Sequence, residues 1–429
     1  MKGRVVIGGA VAAAAGIATT VVSLWPAQAA WTTSWRVSPS AWEATDSPQV
    51  SVDRQGDALQ VWTACDSAAS SCYHRVQARI KRADGTLTPT GNLSPLGPVA
   101  NWPQADSDDD GDSAVVWEQG GHVVGRRVSA SGSLVGSLQQ LSTSAPATTP
   151  AVAVAPTGTA MAVWTEVRDG SWYAVGRKIT VSGTIGPAIT LGNASGEMTD
   201  IGVDRSGRFV ASWVNGGSVL AKRINTDSTV SSTKVLTSAI ESYAGFGRPR
   251  VAVDRDGDAV ITYRSGGGSL PQLWASRWSR GGTLYNPLRI SPSTDNVGNH
   301  STLAMDLDGD SMIVWAKRGS DGKLVLSGRK LTASGSLGSI SSLGSGDRPD
   351  IALDDDGDGM LVYHTPQGPY VTQKVSARLV TQGGTFGSVR TVTSTDGRVP
   401  QVSARPTARF NLVWQAQSYP YSIYGVTGP

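Results

Sequence analysis

The chain has 429 residues and a formal net charge of +3 at neutral pH, with 37 basic and 34 acidic side chains. This near balance, together with the lack of a basic stripe, argues against nucleic acid as a partner. Glycine is abundant at 51 residues, and Ser, Thr and Val are plentiful, which favours short β-strands joined by tight turns.

The first 29 residues have the order of regions that a secretory signal peptide shows. Two basic residues near the start precede an apolar stretch from Val5 to about Trp25, and the sequence AQA at 27–29 has the small-x-small form of a cleavage site. We predict cleavage after Ala29 and a secreted bacterial protein, extracellular or associated with the cell wall. The alternative is an uncleaved membrane anchor, because the apolar stretch is near spanning length. No second apolar segment reaches that length.

Residues 30–429 contain eight copies of one motif, which indicates a repeat fold. The first copy reads PQVSVDRQGDALQVW and the seventh PDIALDDDGDGMLVY. Each consists of an alternating strand, a turn with Asp and Gly, and an apolar strand that closes on an aromatic residue. The copies start near residues 48, 103, 150, 199, 249, 301, 349 and 400. The closing aromatics are Trp62, Trp117, Trp164, Trp213, Tyr263, Trp315, Tyr363 and Trp414.

Each copy continues with two further predicted strands. The third holds a small residue and then a basic one, as in VVGRRVSA, and runs into a turn such as SGSL or DGTL. Glycine at the second position of that turn suits the positive φ of a hairpin. A fourth strand closes the unit. We name the strands A to D; a four-stranded sheet of this size buries both faces only by stacking on neighbours, and radial stacking makes a β-propeller.

We therefore predict an all-β fold, an eight-bladed β-propeller of four-stranded antiparallel blades in a single domain over 30–429. The segment TTSWRVSPS near the N-terminus matches strand D of the other copies, and the C-terminal YSIYGVTGP matches strand C. The N-terminal strand is thus expected to complete the last blade and to leave no open edge in the ring. The alternative is seven blades with a divergent eighth copy packed outside.

The P-x-V-A-V-D-x-x-G start of the motif, followed by an apolar strand, resembles NHL-type and related propellers that bacteria secrete. The resemblance covers essentially all of residues 31–429. It implies a propeller fold and, more loosely, a function, because most such propellers are binding platforms for proteins or glycans and a minority are glycosidases or lyases.

Two cysteines, Cys65 and Cys72, are separated by six residues. In an exported protein this spacing favours a disulfide that ties off one loop. The alternative, half of a metal site, would need His or Cys partners, and only His74 is close in sequence.

Four of the A–B turns carry Asp at three alternating positions, which resembles the start of a calcium loop. A turn requirement explains the pattern more fully, because Asp at the first position caps a type I turn and Gly three residues later ends it in the left-handed conformation. We predict turn chemistry, no metal site, and weak calcium binding as the alternative. The four triplets are Asp108, Asp110 and Asp112; Asp254, Asp256 and Asp258; Asp306, Asp308 and Asp310; and Asp354, Asp356 and Asp358.

Two further residue types recur with the repeat. The closing aromatics are predicted to be packing wedges between blades, since burial of each large ring stabilises by about 1.5–3 kcal/mol. Strand C carries a basic residue in seven copies, which we expect to pair with repeat carboxylates or to stack on aromatics rather than to bind an anionic polymer. These are Arg79, Arg126, Arg177, Lys222, Arg277, Arg329 and Arg378.

In a propeller the D–A and B–C loops share one face, here called the loop face, and the A–B and C–D turns share the other, the hairpin face. The loops vary between copies, and function collects on variable loops of a rigid scaffold. The predicted ligand-binding residues are Trp42, Trp102, Glu118, Glu166, Arg168, Trp172, Arg264, Lys317, Arg318 and His364. Asp169, Tyr243, Phe246 and Tyr419 lie in the same loops.

These observations predict a monomeric, non-catalytic binding module without a cofactor, for a glycan or an extracellular protein. One alternative is a carbohydrate-active enzyme, glycosidase-like, that uses Glu118 and Glu166, because they follow equivalent strands in adjacent blades and such enzymes need paired carboxylates. Another is a structural propeller stabilised by calcium. No Ser-His-Asp order, cysteine nucleophile, phosphate loop or histidine metal cluster is visible in the sequence.

Overall fold

The computed structural model of the chain describes residues 31–39, 43–66, 73–97, 99–196, 198–238, 248–265, 270–365, 373–393, 396–404, 406, 409–416 and 421–429. The predicted signal peptide lies outside these residues, as do Trp42, Cys72, Tyr243, Phe246 and Tyr419. The predictions made for them stay predictions.

The described residues form eight antiparallel sheets of four strands each and no helix. In order A to D, the first four blades comprise Glu43–Val52, Ala58–Asp66, Tyr73–Lys81 and Gly91–Asn92; Ala100–Ser107, Ser113–Gln119, His122–Val128 and Leu134–Gln140; Ala147–Val154, Ala160–Arg168, Ser171–Ile179 and Ile185–Asn193; and Thr199–Val203, Phe209–Asn215, Ser218–Ile224 and Lys234–Thr237.

The other four blades continue the same order. They comprise Arg250–Val253, Ala259–Ser265, Gln272–Trp278 and Leu288–Arg289; Val297–Met305, Ser311–Arg318, Leu324–Leu331 and Ser341–Ser345; Asp347–Leu353, Gly359–His364, Val375–Val380 and Arg390–Thr391; and Gly397–Ala404, Phe410–Ala416, Ser422–Gly428 and, from the N-terminus, Trp35–Arg36. No described helix is long and apolar enough to cross a membrane.

The two ends of the chain meet in blade 8, as predicted. Trp35 pairs with Gly425 and Arg36 with Tyr424, antiparallel, so the N-terminal strand is strand D of the last blade. The backbone N–H of Val37 extends this pairing by donating to the carbonyl of Ile423 at 2.8 Å. The ring is thereby closed by hydrogen bonds between the ends, which confirms the eight-bladed prediction over the seven-bladed alternative.

The A strands form the inner wall of the ring, because each contacts the A strand of the next blade, including that of blade 8 with blade 1. Strand A is the edge of its sheet, and side chains of one blade cap backbone N–H groups of the next. Asp200 accepts from the N–H of Val251 at 2.8 Å, and Ser403 accepts from that of Val52 at 3.2 Å. These bonds satisfy edge groups that would otherwise stay unpaired.

The repeated aromatics are interblade wedges, as predicted. All eight are buried, with 0–4% of their surface exposed. The apolar core of the described residues divides into eight clusters, and each cluster joins one blade to its neighbour. Trp117, for example, lies against Val61, Val76 and Leu93 of blade 1. The closing aromatic of each blade therefore packs against the preceding blade.

The basic residues of strand C are structural, but their partners differ from those predicted. Most donate to a backbone carbonyl of strand D in the preceding blade rather than to a carboxylate. Arg329 bonds the carbonyl of Ile290 at 3.1 Å, and Arg378 bonds that of Leu343 at 3.0 Å. The same bond joins Arg79 to Val37, Arg126 to Leu93 and Arg177 to Leu141. Among the repeated basic residues, and within the part of the chain that the structure describes, Arg277 is the one that stacks as expected, 4.7 Å above the ring of Tyr285.

The acidic A–B turns have the predicted turn chemistry, and each Asp has a separate task. In blade 7, Asp354 Oδ1 accepts from the backbone N–H of Asp356 at 3.1 Å and of Asp358 at 2.9 Å. Asp358 Oδ1 accepts from the N–H of Gln382 at 2.8 Å and so binds the C–D turn of the same blade. Asp356 is exposed to solvent. The first and third carboxylates thus bind different backbone groups while the second faces solvent, and weak calcium binding stays an alternative prediction.

The glycine of the A–B turn also has an interblade role. Gly357 has a φ of +89°, and a Cβ placed there would lie 2.6 Å from Asp306 Oδ2 in blade 6. The same approach recurs between Gly111 and Asp53, where the distance is also 2.6 Å. Glycine is therefore required at this position for two reasons, the left-handed backbone and the close approach of the neighbouring turn.

Candidate functional site

The hairpin-face end of the ring is crossed by ion pairs between turns. Arg54 of blade 1 lies 3.0 Å from Asp109 of blade 2 and 3.4 Å from Asp355 of blade 7, which is not a neighbouring blade. Arg255 and Asp308 form a further pair at 3.1 Å. Several charged groups at this end are therefore matched with one another, whereas the loops that vary between blades lie at the loop face, where we seek a ligand site.

At the loop face, a β-bulge occurs near the start of strand A. The pairing of strands A and B shifts register there in blades 1, 2, 3, 6, 7 and 8. In five of these blades the residue before the repeat start has a φ between 43° and 50°. A bulge re-aims the side chain that it carries. The five residues are Ser47, Trp102, Thr149, Arg348 and Val399.

We call the position before each repeat start the rim position. Because strand A is the innermost strand, the eight rim positions surround the loop-face end of the ring. The scaffold recurs at this position while the chemistry of the side chain changes from blade to blade, which is the arrangement that a binding surface needs. From blade 1 to blade 8 the residues are Ser47, Trp102, Thr149, Met198, Arg248, His300, Arg348 and Val399.

Trp102 is the exposed aromatic of the rim. Its side chain is 44% exposed, whereas Trp117 of the same blade is fully buried. A bulky residue at positive φ is uncommon and is held only where the surrounding structure demands it. Trp172, also predicted to bind ligand, is half-buried near the start of strand C of blade 3. Trp102 therefore offers the larger free aromatic surface.

Arg248 spans three blades at the rim. From blade 5 it donates to the carbonyl of Thr199 at 2.9 Å and to those of Thr149 and Pro150 at 3.3 and 3.2 Å. Burial and, to a smaller extent, the charge of Arg250 together lower the pKa of Arg248 to about 10. Glu118 accepts from the side chain of Thr148 and from the N–H of Thr149 at 2.6 Å. Together these bonds hold the rim of blade 3.

Glu166 has the environment of a structural carboxylate. It is fully buried and accepts from Trp164 Nε1 at 2.8 Å, Thr143 Oγ1 at 2.7 Å and Arg168 Nε at 2.6 Å. Burial raises the pKa of Glu166, but these hydrogen bonds and the charge of Arg168 outweigh burial and leave it lowered. Both oxygens of Glu166 are thus occupied by donors of the protein itself, and its catalytic pairing with Glu118 stays a prediction.

The remaining predicted site residues occupy the B–C loops of blades 5 to 7. Lys317 bonds Asp295 Oδ1 at 2.8 Å, and the other oxygen of Asp295 accepts from Trp315. Arg264 donates to Asn299 Oδ1 at 3.0 Å, which ties blade 5 to blade 6. Arg318 is exposed. Lys317 thus supports the core, while Arg264 lies beside the rim.

The structure brings His364 together with two residues that the sequence did not single out. His300 Nδ1 lies 2.7 Å from Asp347 Oδ1, and His364 Nε2 lies 3.8 Å from Asp347 Oδ2. Burial lowers the pKa of His364 to about 4, against the opposing charge of Asp347. Burial also raises the pKa of Asp347, but the hydrogen bond and charge of His300 outweigh it and leave the pKa lowered. His300 itself is 40% exposed at the rim of blade 6.

Below the rim, the inner wall holds carboxylates that cap the next blade. Asp106 accepts from the N–H of Val154 at 2.8 Å and Asp350 from that of Val402 at 2.9 Å. Burial raises the pKa of each carboxyl to about 6. These groups are spread around the wall, and the described residues contain no cluster of three or more His, Cys, Asp or Glu that could hold a metal ion.

The raised pKa values predict that stability falls as pH rises from about 4 to about 6. The unfolded value is near 3.9, so the folded state holds these two protons more tightly and loses that advantage as Asp106 and Asp350 ionise. We expect a loss of about 1–2 kcal/mol per group, less than the full shift implies because both keep some solvent access. Denaturant unfolding at several pH values measures it.

The double variant Asp106→Asn, Asp350→Asn is the control, since the amide oxygen still accepts the same N–H. It should reduce the decline between pH 4 and 6 without abolishing it, because burial also raises the pKa of Asp354 to about 6, and it should leave the variant at least as stable as the wild type at pH 7. An unchanged slope would show that other groups cause the dependence. Glu166 and Asp347, whose pKa values are lowered, act at lower pH and in the opposite sense.

The fold and the rim define the chain as a β-propeller. No protein-family profile matches the sequence, and no curated protein matches it. The Dos1 propeller is similar in structure, at 7% identity and a TM-score of 0.53, over 92% of this chain and 94% of that chain. Polysaccharide lyase Uly1 is similar at 10% identity and a TM-score of 0.49, over 79% and 91%.

A third similar structure is an ulvan lyase described as a new polysaccharide lyase family, PL25, at 10% identity and a TM-score of 0.47, over 91% of this chain and 95% of that chain. The likeness to the Dos1 propeller, at 7% identity, shows the fold alone. The resemblance to NHL-type propellers therefore extends to the propeller fold, and membership of that family stays a prediction.

Proposed function

We propose that the protein is a non-catalytic glycan-binding module whose ligand lies on the rim of the loop face. The observation that supports this most is Trp102, a largely exposed indole held at a left-handed backbone position beside the inner ring. A sugar ring stacks its C–H face on such a surface, and polar groups beside it would bind its hydroxyls. The burial of Glu166 and the engagement of both its oxygens by protein donors support binding over glycosidase chemistry.

Export is part of the same proposal. We infer that the segment before Ala30 is removed, that the mature chain acts outside the cell as a monomer, and that Cys65 and Cys72 form a disulfide. Cys65 is buried near the end of strand B and pairs with His74 of strand C, so both cysteines flank one B–C loop. Intact-mass measurement of the exported protein before and after reduction tests cleavage and the disulfide together.

Replacing Trp102 with alanine should weaken glycan binding by about tenfold or more, because stacking on an exposed aromatic contributes on the order of 1–1.5 kcal/mol. A glycan array would identify ligands of the wild type, and titration calorimetry would compare the variants. Tyr285→Ala is the matched control, since Tyr285 is similarly exposed, at 42%, but lies in a hairpin-face turn.

Equal losses in both variants would contradict a rim site, and binding of a protein but of no glycan would contradict the glycan assignment. Release of new sugar ends during incubation would show that the site is catalytic. That result would favour a carbohydrate-active enzyme over a non-catalytic binding module.

A further inference from the structure

The rim carries its positive charge on one side. Arg248, His300 and Arg348 occupy the rim positions of three consecutive blades, 5 to 7, and Arg398 directly precedes the rim residue of blade 8. The opposite part of the rim, in blades 1 to 3, consists of Ser47, Trp102 and Thr149. Side-chain chemistry thus divides the rim into an aromatic, uncharged side and a cationic side.

Two of these cations are available to a ligand. Arg348 and Arg398 are exposed, and neither has a carboxylate within salt-bridge distance among the residues that the structure describes. This differs from Arg168, which is ion-paired with Glu166. The two exposed arginines also differ from Arg248, whose guanidinium donates to backbone carbonyls. An exposed guanidinium keeps its planar fork of donors free for an anion.

The nearby carboxylates are engaged elsewhere. Asp347 directs one oxygen to His300 and the other toward His364. Asp396 accepts from the backbone N–H of Gln373 at 2.9 Å, and Asp350 caps Val402. These three acids therefore neutralise neither arginine by direct contact, and the cationic side of the rim keeps an excess of positive charge.

The cationic side of the rim lies close to one buried side chain, His364. Burial is the main cause of its lowered pKa, the charge of Asp347 opposes it, and Arg348, His300 and Arg398 add smaller lowering effects. These three side chains therefore lie near one buried imidazole, although they come from three different blades. The positive charge is a property of the assembled ring rather than of one loop.

We propose that Arg348 and Arg398, here called the cationic arc, select glycans that carry carboxylate or sulfate groups. The inference rests on the proposed function and adds the class of ligand to it. The sugar chain would stack on Trp102 across the rim, and an acidic substituent would meet the arginine forks, which match carboxylate and sulfate oxygens in a bidentate way. Groups of this kind would also be attracted from solution at low ionic strength.

The test uses two pairs of probes that differ only in charge. Oligogalacturonate is compared with its methyl ester for the carboxylate arm, and a dextran sulfate oligomer with dextran for the sulfate arm, by titration calorimetry of the full mature chain. We expect an acidic probe to bind at least about tenfold more tightly than its neutral partner, and the arm in which this occurs identifies the anion.

The double variant Arg348→Gln, Arg398→Gln should remove that preference and leave binding of neutral glycans unchanged. Arg280→Gln is the control, because Arg280 is exposed on the hairpin face and its side chain makes no hydrogen bond or ion pair among the described residues. Thermal unfolding of all three proteins confirms that the exposed substitutions leave the fold intact.

The outcomes separate the two proposals. Binding of neutral and acidic probes with equal affinity would overturn the cationic arc and keep the glycan-binding function. An equal loss in the double variant and in Arg280→Gln would overturn the arc as well, because it would show attraction by net charge only. Failure of Trp102-dependent binding to every glycan tested would overturn the proposed function itself.

Discussion

Replacement of Trp117 by alanine should lower the free energy of unfolding by about 3–5 kcal/mol, the range for truncation of a large buried aromatic. The indole is fully buried between blades 1 and 2, where it contacts Val61, Val76 and Leu93. Its Nε1 donates to Gln119 Oε1 at 2.9 Å, so truncation also leaves an acceptor unpaired. Equilibrium unfolding in urea, followed by tryptophan fluorescence and circular dichroism, measures the loss.

Trp102→Ala is the matched control for this experiment. It removes the same side chain from the same blade, but at an exposed position, and should change stability by about 0.5 kcal/mol or less. The two substitutions are thus expected to separate cleanly, one acting on stability and the other on glycan binding. A Trp117→Ala protein as stable as Trp102→Ala would contradict the interblade wedge, since the cavity would then have closed at little cost.

Replacement of Gly357 by alanine should cost about 2–4 kcal/mol, although it adds a single methyl group to a turn. One part is the left-handed backbone, which costs about 1–2 kcal/mol for a residue with a side chain. The other is steric, because the new Cβ would lie 2.6 Å from Asp306 Oδ2 and would force apart the turns of blades 6 and 7. The loss is measured as a shift in the urea midpoint at constant slope.

Gly170→Ala isolates the backbone part of that cost. Gly170 has a φ of +75°, and a Cβ there would meet nothing within 4 Å. We expect this control to lose about 1–2 kcal/mol, less than Gly357→Ala. If the two variants lost the same amount, the contact between neighbouring turns would have no energetic role, and glycine would be needed at the acidic turns for its backbone conformation alone.

The architecture could be predicted from the sequence because every blade repeats the same strand pattern and the same packing residue. An aromatic at the end of strand B recurs about every 50 residues, and each one is a wedge against the preceding blade. Closure was predictable as well, because the N-terminal segment around Trp35 reads as strand D while the C-terminal segment around Gly425 reads as strand C. The pairing of these two residues confirms it.

Partners across blades were harder to predict, since they come from residues about 50 positions apart and from backbone atoms that a sequence does not display. The arginines of strand C were expected to meet carboxylates, but Arg329 and Arg378 bind carbonyl groups of the preceding blade. The same limit applies to Gly357. Glycine is needed there because its turn lies close to Asp306 of the neighbouring blade, and the sequence does not display that contact.

The site residues show the limit most clearly. The sequence singled out His364 and Trp102, but gave no reason to group His364 with His300 and Asp347, which lie in different copies of the repeat. The sequence signal for the rim was the residue before each repeat start. At that position the backbone conformation recurs between blades, while the side chain varies. It becomes informative only when the bulges are known to set those residues around one opening.

By itself, the sequence determined the number of blades, their strand order, the turn chemistry and the closure of the ring. These follow from local patterns that each repeat carries in full, such as alternation, turn residues and the periodic aromatic. Tertiary structure alone decided which charged side chains are paired within the protein and which are available to a ligand. Asp347 is occupied by His300, whereas Arg348 beside it is unpaired among the described residues. That difference depends on distances between blades, which arise only when the ring closes.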